Sequence, residues 1–246
     1  SGVMMHPLDA ERGLFTPEQV DAAIRPRSSF APRSRLLVTE QTSNLGGGAV
    51  WPVEQLNAVA QRARAHGLTA HLDGARVLNA SVATGVPARA YARHHDSAWL
   101  AFTKGLGCPV GAVLAGSAEF IRDAWLLKRR WGGAMRQTGV LTAMCLYALD
   151  HNVDRLADDH AMARELGAGL AEAPIVKRVL PVETNIVVAE LADAAPDADT
   201  LRARLADEGV KVGKIGTRKL RLLTHLDATM DDAHAAVRAV QGLRVN

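Results

Sequence analysis

Short apolar runs alternate along the chain with longer stretches in which apolar residues recur every three or four positions. This is the pattern of strands joined by crossover helices, and it predicts an α/β chain built on a mainly parallel sheet. Residues 35–40, centred on Leu36-Leu37-Val38, read as a buried strand. Residues 52–65 read as a helix, with Val53, Leu56, Val59 and Ala60 on one face and Gly67 as its stop. A second strand is predicted at 68–72, a helix at 75–83, a third strand at 97–102 and a fourth at 110–115. Ser117 then opens a helix with Glu119 in its first turn.

From 137 to 168 the pattern becomes continuously helical, with no strand in it. Beyond it, 183–190, 210–216 and 220–224 read as strands, accompanied by helices at 198–208 and 230–243. The expectation is therefore a larger α/β unit over residues 1–150 and a smaller α+β unit over 151–246, divided near Asp150.

Composition narrows the function classes. Residues of the AVILMFWYC set make up 48% of the 246, enough for a sizeable core and too many for global disorder. No apolar run approaches the roughly 18 residues of a spanning helix, and Ser1-Gly2-Val3-Met4-Met5-His6 does not read as a signal peptide. Two cysteines, Cys108 and Cys145, argue against a disulfide scaffold and a cysteine-based zinc site. A cytoplasmic globular protein without membrane partners is expected. The net charge of +3 invites a nucleic-acid reading, but acids and bases are interleaved and aromatics are only 4%. Nucleic-acid binders concentrate charge on one face, so no nucleic-acid partner is expected.

In open α/β sheets, ligands bind outside the carboxyl ends of the strands. One strand there leads into Asp73-Gly74-Ala75-Arg76, the next into Thr103-Lys104-Gly105-Leu106-Gly107-Cys108-Pro109-Val110-Gly111, and a late one into Thr224-His225-Leu226-Asp227. Only six of the 29 basic residues are lysine, and Lys104 alone follows a buried strand directly and opens a glycine-rich loop. Partial desolvation there would lower its pKa and free the amine for imine chemistry; the plainer reading is a surface lysine in a turn. Gly105-Leu106-Gly107 is no dinucleotide fingerprint, because Pro109 and a strand follow where a helix is needed. Asp73 has the placement of a carboxylate that keeps a pyridinium nitrogen protonated, and equally that of a helix N-cap. Lys104, 31 residues on and one crossover away, favours the first role.

His71-Leu72-Asp73-Gly74-Ala75-Arg76, the Lys104 loop, Gly132-Gly133-Ala134-Met135-Arg136-Gln137 and Arg221-Leu222-Leu223-Thr224-His225-Leu226-Asp227 occur in that order. Together they resemble the low-specificity L-threonine aldolases, pyridoxal-phosphate enzymes of the aspartate aminotransferase fold type. The resemblance implies that Lys104 carries the cofactor, that Asp73 partners its ring nitrogen, and that Arg76 lies near its phenolic oxygen. It implies further that Arg221 clamps the substrate α-carboxylate and that Arg136 contacts the phosphate or the active-site loop. Read alone, Arg76 and Arg221 suit ordinary surface ion pairs, and Arg136 a contact to its neighbouring helix.

The implied reaction is carbon–carbon cleavage of L-threonine, L-allo-threonine or a related β-hydroxy-α-amino acid to glycine and an aldehyde. A homodimer or homotetramer is implied by analogy. The chain also departs from the family. Ser43 stands in the Gln41-Thr42-Ser43-Asn44 loop where the family often has histidine, and a hydroxyl is no base near neutral pH. Thr103 and Ala134 replace a common serine and a common glycine. Family members also carry an N-terminal segment with the phosphate loop and a histidine stacked on the cofactor, so the large unit is expected to be partial. The alternatives are a same-fold β-eliminating lyase and a non-catalytic oligomer subunit.

Overall fold

A computed structural model describes residues 2–244. Thr16 accepts from the Gln19 N–H, Gln19 answers on the Thr16 N–H, and Pro17 fills the first turn, so this capping box starts helix α1 (Pro17–Ala23). The following strands and helices alternate as β1 (Leu36–Glu40), α2 (Val53–Ala65), β2 (Thr69–Asp73), α3 (Val77–Thr84), the single turn α4 (Ala88–Tyr91), β3 (Ser97–Ala101) and β4 (Ala112–Gly116). The sheet order is β1-β2-β3-β4, with β1, β2 and β3 parallel and β4 antiparallel to β3. Apolar residues of one sheet face and of α2 and α3 close a core around Leu37, Leu56, Val59, Leu72 and Val77. Phe15 meets Trp51 edge-on there, at 5.0 Å between ring centroids.

β1 is buried on one face only. Leu37 and Thr39 point inward, whereas Leu36 and Val38 are about half exposed. The sequence predicts a buried strand; successive side chains point to opposite faces, and among the described residues only the face of Leu37 and Thr39 is covered.

α5 (Ala118–Arg130) is capped by the Ser117 hydroxyl as expected. The single helical stretch predicted at 137–168 is two helices, α6 (Gly139–His151) and α7 (Leu156–Ala171), separated at 152–155. β5 (Val176–Val179), which the sequence pattern does not announce, begins a second sheet with β6 (Ile186–Leu191), β7 (Gly213–Ile215) and β8 (Lys219–Leu223). Its order is β5-β6-β8-β7 and every pairing is antiparallel. α7, α8 (Ala198–Asp207) and α9 (Met230–Gly242) cover it with a core that includes Leu166, Leu170, Val187, Leu201, Leu220 and Val240. α7 also touches α3, where Asn79 Nδ2 and His160 Nε2 meet at 3.0 Å in a buried contact between the two sheet systems. No helix among the described residues is long and apolar enough to cross a membrane.

Candidate active site

Parallel pairing sets Glu40 opposite Asp73, and Asp73 opposite Trp99. The carboxyl ends of β1, β2 and β3 therefore carry two acids and, three residues beyond β3, Lys104. At Gly74 the backbone crosses close over β3: its N–H donates to the Trp99 carbonyl at 3.0 Å, and a Cβ there would lie 2.6 Å from that oxygen. Asp73 Oδ1 accepts the Ala75 N–H at 3.0 Å. This is a local turn contact and not the helix cap that the sequence suggested, because α3 begins only at Val77, with Arg76 at its N-cap and no side-chain cap. Arg76 follows at the start of α3 and is only 8% exposed.

The lysine loop is folded back on itself. The Gly107 N–H reaches the Lys104 carbonyl and the Cys108 N–H the Phe102 carbonyl, both at 3.0 Å, with Gly107 at φ 74°. Asn152, between α6 and α7, donates to the Leu106 carbonyl at 2.8 Å, and Leu156 of α7 lies over Gly105 so closely that a Cβ there would sit 2.6 Å from its Cδ2. Lys104 itself is exposed. The partial desolvation expected from its position is not found, because the loop projects the side chain past the strand end while Gly105 and Leu106 take the buried places.

Beyond β1, Gln41 is fully buried and holds Trp51 from both sides, accepting its N–H and donating to its carbonyl. Thr42 adopts a left-handed backbone (φ 47°), unusual for a β-branched residue, and its hydroxyl has no partner among the described residues. The Ser43 hydroxyl lies against Gly13 and Gly46, packed among backbone. Asn44 carries the polar link: its N–H donates to Glu40 Oε2 at 3.2 Å, and its Oδ1 accepts from Arg221 Nη2 at 2.6 Å. Thr184 donates to the Gly48 carbonyl at 3.0 Å, and Glu183 binds both the Val50 N–H and Arg12. These contacts seat the β1 loop on the second sheet and bring Arg221 of β8 towards the first.

The resulting charge cluster is tightly balanced. Burial lifts the Glu40 carboxyl above its ordinary range; the Asn44 N–H opposes the shift, Asp73 adds to it, and the two guanidiniums oppose it. Burial lowers Arg76, and the like charge of Arg221 lowers it further. Burial likewise lowers Arg221, against the pull of Glu40. The Nε–H groups of both arginines are buried without a protein partner among the described residues. One buried guanidinium and one half-buried one, each with an Nε–H to spare, suit an anion. Beside them a cleft of about 350 Å³ is lined by Arg76, Thr103, Lys104 and Asn185, among others, with Thr224 and His225 on its far side. Arg76 and Lys104 thus line the cleft, while Asp73 and Arg221 do not line it and lie within charge range of Arg76. Arg136 is exposed between α5 and α6 and lines neither this cleft nor the small void of about 10 Å³ beneath the lysine loop.

Residues 1–194 match the beta-eliminating lyase family. The chain belongs to that family. Among curated members, it is 37% identical to low-specificity L-threonine aldolase 1 of Arabidopsis thaliana, over 94% of this chain and 66% of that protein. It is 34% identical to the low specificity L-threonine aldolase of Escherichia coli K12, over 93% of this chain and 66% of that protein. The chain therefore spans about two thirds of the length of these relatives. Among solved structures, the threonine aldolase of Leishmania major superposes with a TM-score of 0.76 at 22% identity, covering 94% of this chain and 68% of that one. An aspartate aminotransferase of Thermus thermophilus gives 0.65 at 21% identity, covering 92% and 62%. The fold is that of the aspartate aminotransferases, as expected, with a mainly parallel first sheet and a separate antiparallel second one.

The candidate site includes residues that sequence reasoning passed over. Glu40 ends an apolar strand as Asp73 does and could have been found by the same rule. Asn44 and Asn152 could not, since their partners lie 177 and 46 residues away in sequence.

Proposed function

We propose that this beta-eliminating lyase family member is a pyridoxal-phosphate-dependent aldolase that cleaves L-threonine, L-allo-threonine or a related β-hydroxy-α-amino acid to glycine and an aldehyde. The observation that carries the reading is a cleft lined by Lys104 and the buried Arg76, with Asp73 and the half-buried Arg221 within charge range of Arg76 and an unused Nε–H on each arginine. These residues fit the cofactor and an amino-acid substrate in chemical kind. Lys104 would hold the cofactor through its amine, Asp73 would face the ring nitrogen, and Arg76 the phenolic oxygen. Arg136 is the family-implied contact to the phosphate or the loop. When bound, the cofactor supplies an electron sink for the pair left at Cα as the Cα–Cβ bond breaks.

The protein's own contribution is binding and orientation. Arg221 takes the substrate carboxylate, steadied by Asn44, which is itself tethered to Glu40. Burial shifts the neighbouring Glu40 carboxyl towards its neutral form, which lessens the like charge facing Asp73. Ser43 is turned to the backbone of Gly13 and Gly46, so the base for the β-hydroxyl proton is to be sought elsewhere in the cleft.

A second reading, β-elimination, is favoured by the family that the chain matches. Product analysis on L-threonine separates the two: glycine and an aldehyde for the first, a keto acid and ammonia for the second. Lys104→Ala is expected to abolish the visible absorbance of bound cofactor and to cut turnover by at least about a hundredfold. Retention of both would refute the assignment of Lys104.

The division near Asp150, into a cofactor-binding unit over 1–150 and a smaller unit over 151–246, remains our proposal, supported by the two separate sheets. So does a cytoplasmic setting, supported by two unpaired cysteines. A homodimer or homotetramer is likewise proposed, on the exposed apolar side chains of α6.

A further inference from the structure

The reaction leaves both cysteines unused, although they stand at the back of the lysine loop. Cys108 is four residues beyond Lys104 and buried under Phe102, Leu106 and Ala148; Cys145 of α6 packs against the same cluster. Each thiol reaches a backbone carbonyl close to the other cysteine. Cys108 Sγ donates to the carbonyl of Met144 at 3.5 Å, the residue just before Cys145. Cys145 Sγ reaches the carbonyl of Val110 at 3.9 Å, two residues after Cys108. Gly111, at φ 129°, makes room for this: a Cβ there would come within 3.0 Å of Cys145 Sγ. Both thiols are free.

We propose that Cys108 and Cys145 are a thiol pair built for reversible oxidation to an intramolecular disulfide, which would fasten the Lys104 loop to α6. The inference stands on these contacts alone and does not depend on which reaction the cleft performs.

The chemistry balances with a disulfide oxidant such as glutathione disulfide. The Cys145 thiolate attacks one sulfur, forming a mixed disulfide and expelling one glutathione thiolate. Cys108 then gives up its proton and attacks Cys145 Sγ, expelling the second glutathione. Two protein thiols are oxidised, one oxidant disulfide is reduced to two thiols, and one S–S bond forms within the chain. The order of attack follows from the surroundings. Burial, and then the neighbouring Cys145 sulfur, push the Cys108 thiol up, so it is the poorer first nucleophile, while Cys145 is only half buried.

The pair is tested by oxidising the 246-residue chain with glutathione disulfide, natively and in denaturing urea, and following intact mass and non-reducing peptide maps. The expected native product is lighter by two hydrogens, yields a linked peptide containing Cys108 and Cys145, and reverts with dithiothreitol. Native proximity should make it form at least about tenfold faster than in urea, since folding raises the effective concentration of one thiol at the other. Cys108→Ala should halt the native reaction at a stable glutathione adduct on Cys145. A link that forms no faster in the native chain than in urea would overturn the proposal. So would native protein ending with glutathione on both thiols, or with both thiols unmodified while the urea sample links.

Discussion

α6 and α7 follow one another in the chain, both rich in apolar residues, and meet opposite fates. α7 buries Leu156, Met162, Ala163, Leu166 and Leu170 together with two polar residues, Asp159 and His160. α6 is apolar nearly all round and buries only Ala148, leaving Val140, Leu146 and Tyr147 more than half exposed. What separates them is not hydrophobicity but what packs against each. α7 sits on β5 and β6, is covered by α9 and reaches α3, and a Cβ on Gly167 would lie 2.8 Å from Val182. A helix that is apolar all round carries the signature of burial. Its own sequence does not say which element does the burying.

The sharpest way to break this comparison is to truncate the same kind of side chain in each helix. Leu170→Ala removes a fully buried side chain from the second core and should cost about 2–5 kcal/mol. Val140→Ala, 71% exposed, should stay within about 0.5 kcal/mol. Urea denaturation of both variants measures the difference, and equal losses would erase the distinction.

Acid should sharpen it. Burial, aided by the like charge of Arg164, holds His160 near a pKa of about 4, against an ordinary 6.5. As pH falls, the unfolded chain therefore takes up the proton first. The stability that neutral His160 contributes is complete above about 6.5 and drains away as pH falls towards 4, by about 3 kcal/mol in all. His95 is lowered to about 4 as well, so the wild-type slope holds both contributions. His160→Gln keeps an acceptor for Asn79 and removes one of them. Its unfolding free energy should fall less steeply between pH 6.5 and 4 than that of the wild type. Parallel curves would show that His160 does not titrate with folding.

The same contrast governs the lysine loop, which lies between the two helices. Gly105→Ala would press a Cβ against Leu156 of α7 and should cost about 1–3 kcal/mol by overpacking. The cost should shrink when Leu156 is also reduced to valine, a coupling that a double-mutant cycle in urea measures. Additive losses would mean that loop and helix do not touch in solution.

How far the sequence reaches is visible in these elements. β1, α2, β2, β3 and β4 were legible because period and punctuation agree: an apolar run, then Gly or Pro, then a 3.6-residue repeat. β5 was not, since Lys177 and Arg178 interrupt a four-residue edge strand. The break between α6 and α7 was hidden because Asn152-Val153-Asp154-Arg155 contains neither Gly nor Pro. In the candidate site, Asp73, Arg76 and Lys104 could be read from their strand-end positions and chemical type, while the role of Arg76, and Arg136 and Arg221 altogether, came only by resemblance. The Glu40–Asn44–Arg221 chain needs the register of β1 on β2 and the seating of its loop on the second sheet, which no local pattern encodes.

The smallest stability effect is expected on the exposed side of α6, and there a null result on stability carries the information. Val140→Lys and Tyr147→Lys place charges at positions 71% and 62% exposed, so neither should move the urea midpoint by more than about 0.5 kcal/mol at low protein concentration. Their effect should lie in association. Monomeric proteins seldom leave contiguous apolar patches of this kind uncovered, and burying one against a second copy removes it from water. Sedimentation velocity over a concentration series should show the wild type moving to species heavier than its 26.2 kDa chain, with both lysine variants shifted towards the monomer. If the variants instead lose as much stability as Leu170→Ala, α6 is buried in the folded unit in solution, and its difference from α7 disappears. If stability and association are both unchanged, the exposed face of α6 does not carry the proposed oligomer, and self-association has to be sought on β4 or α5.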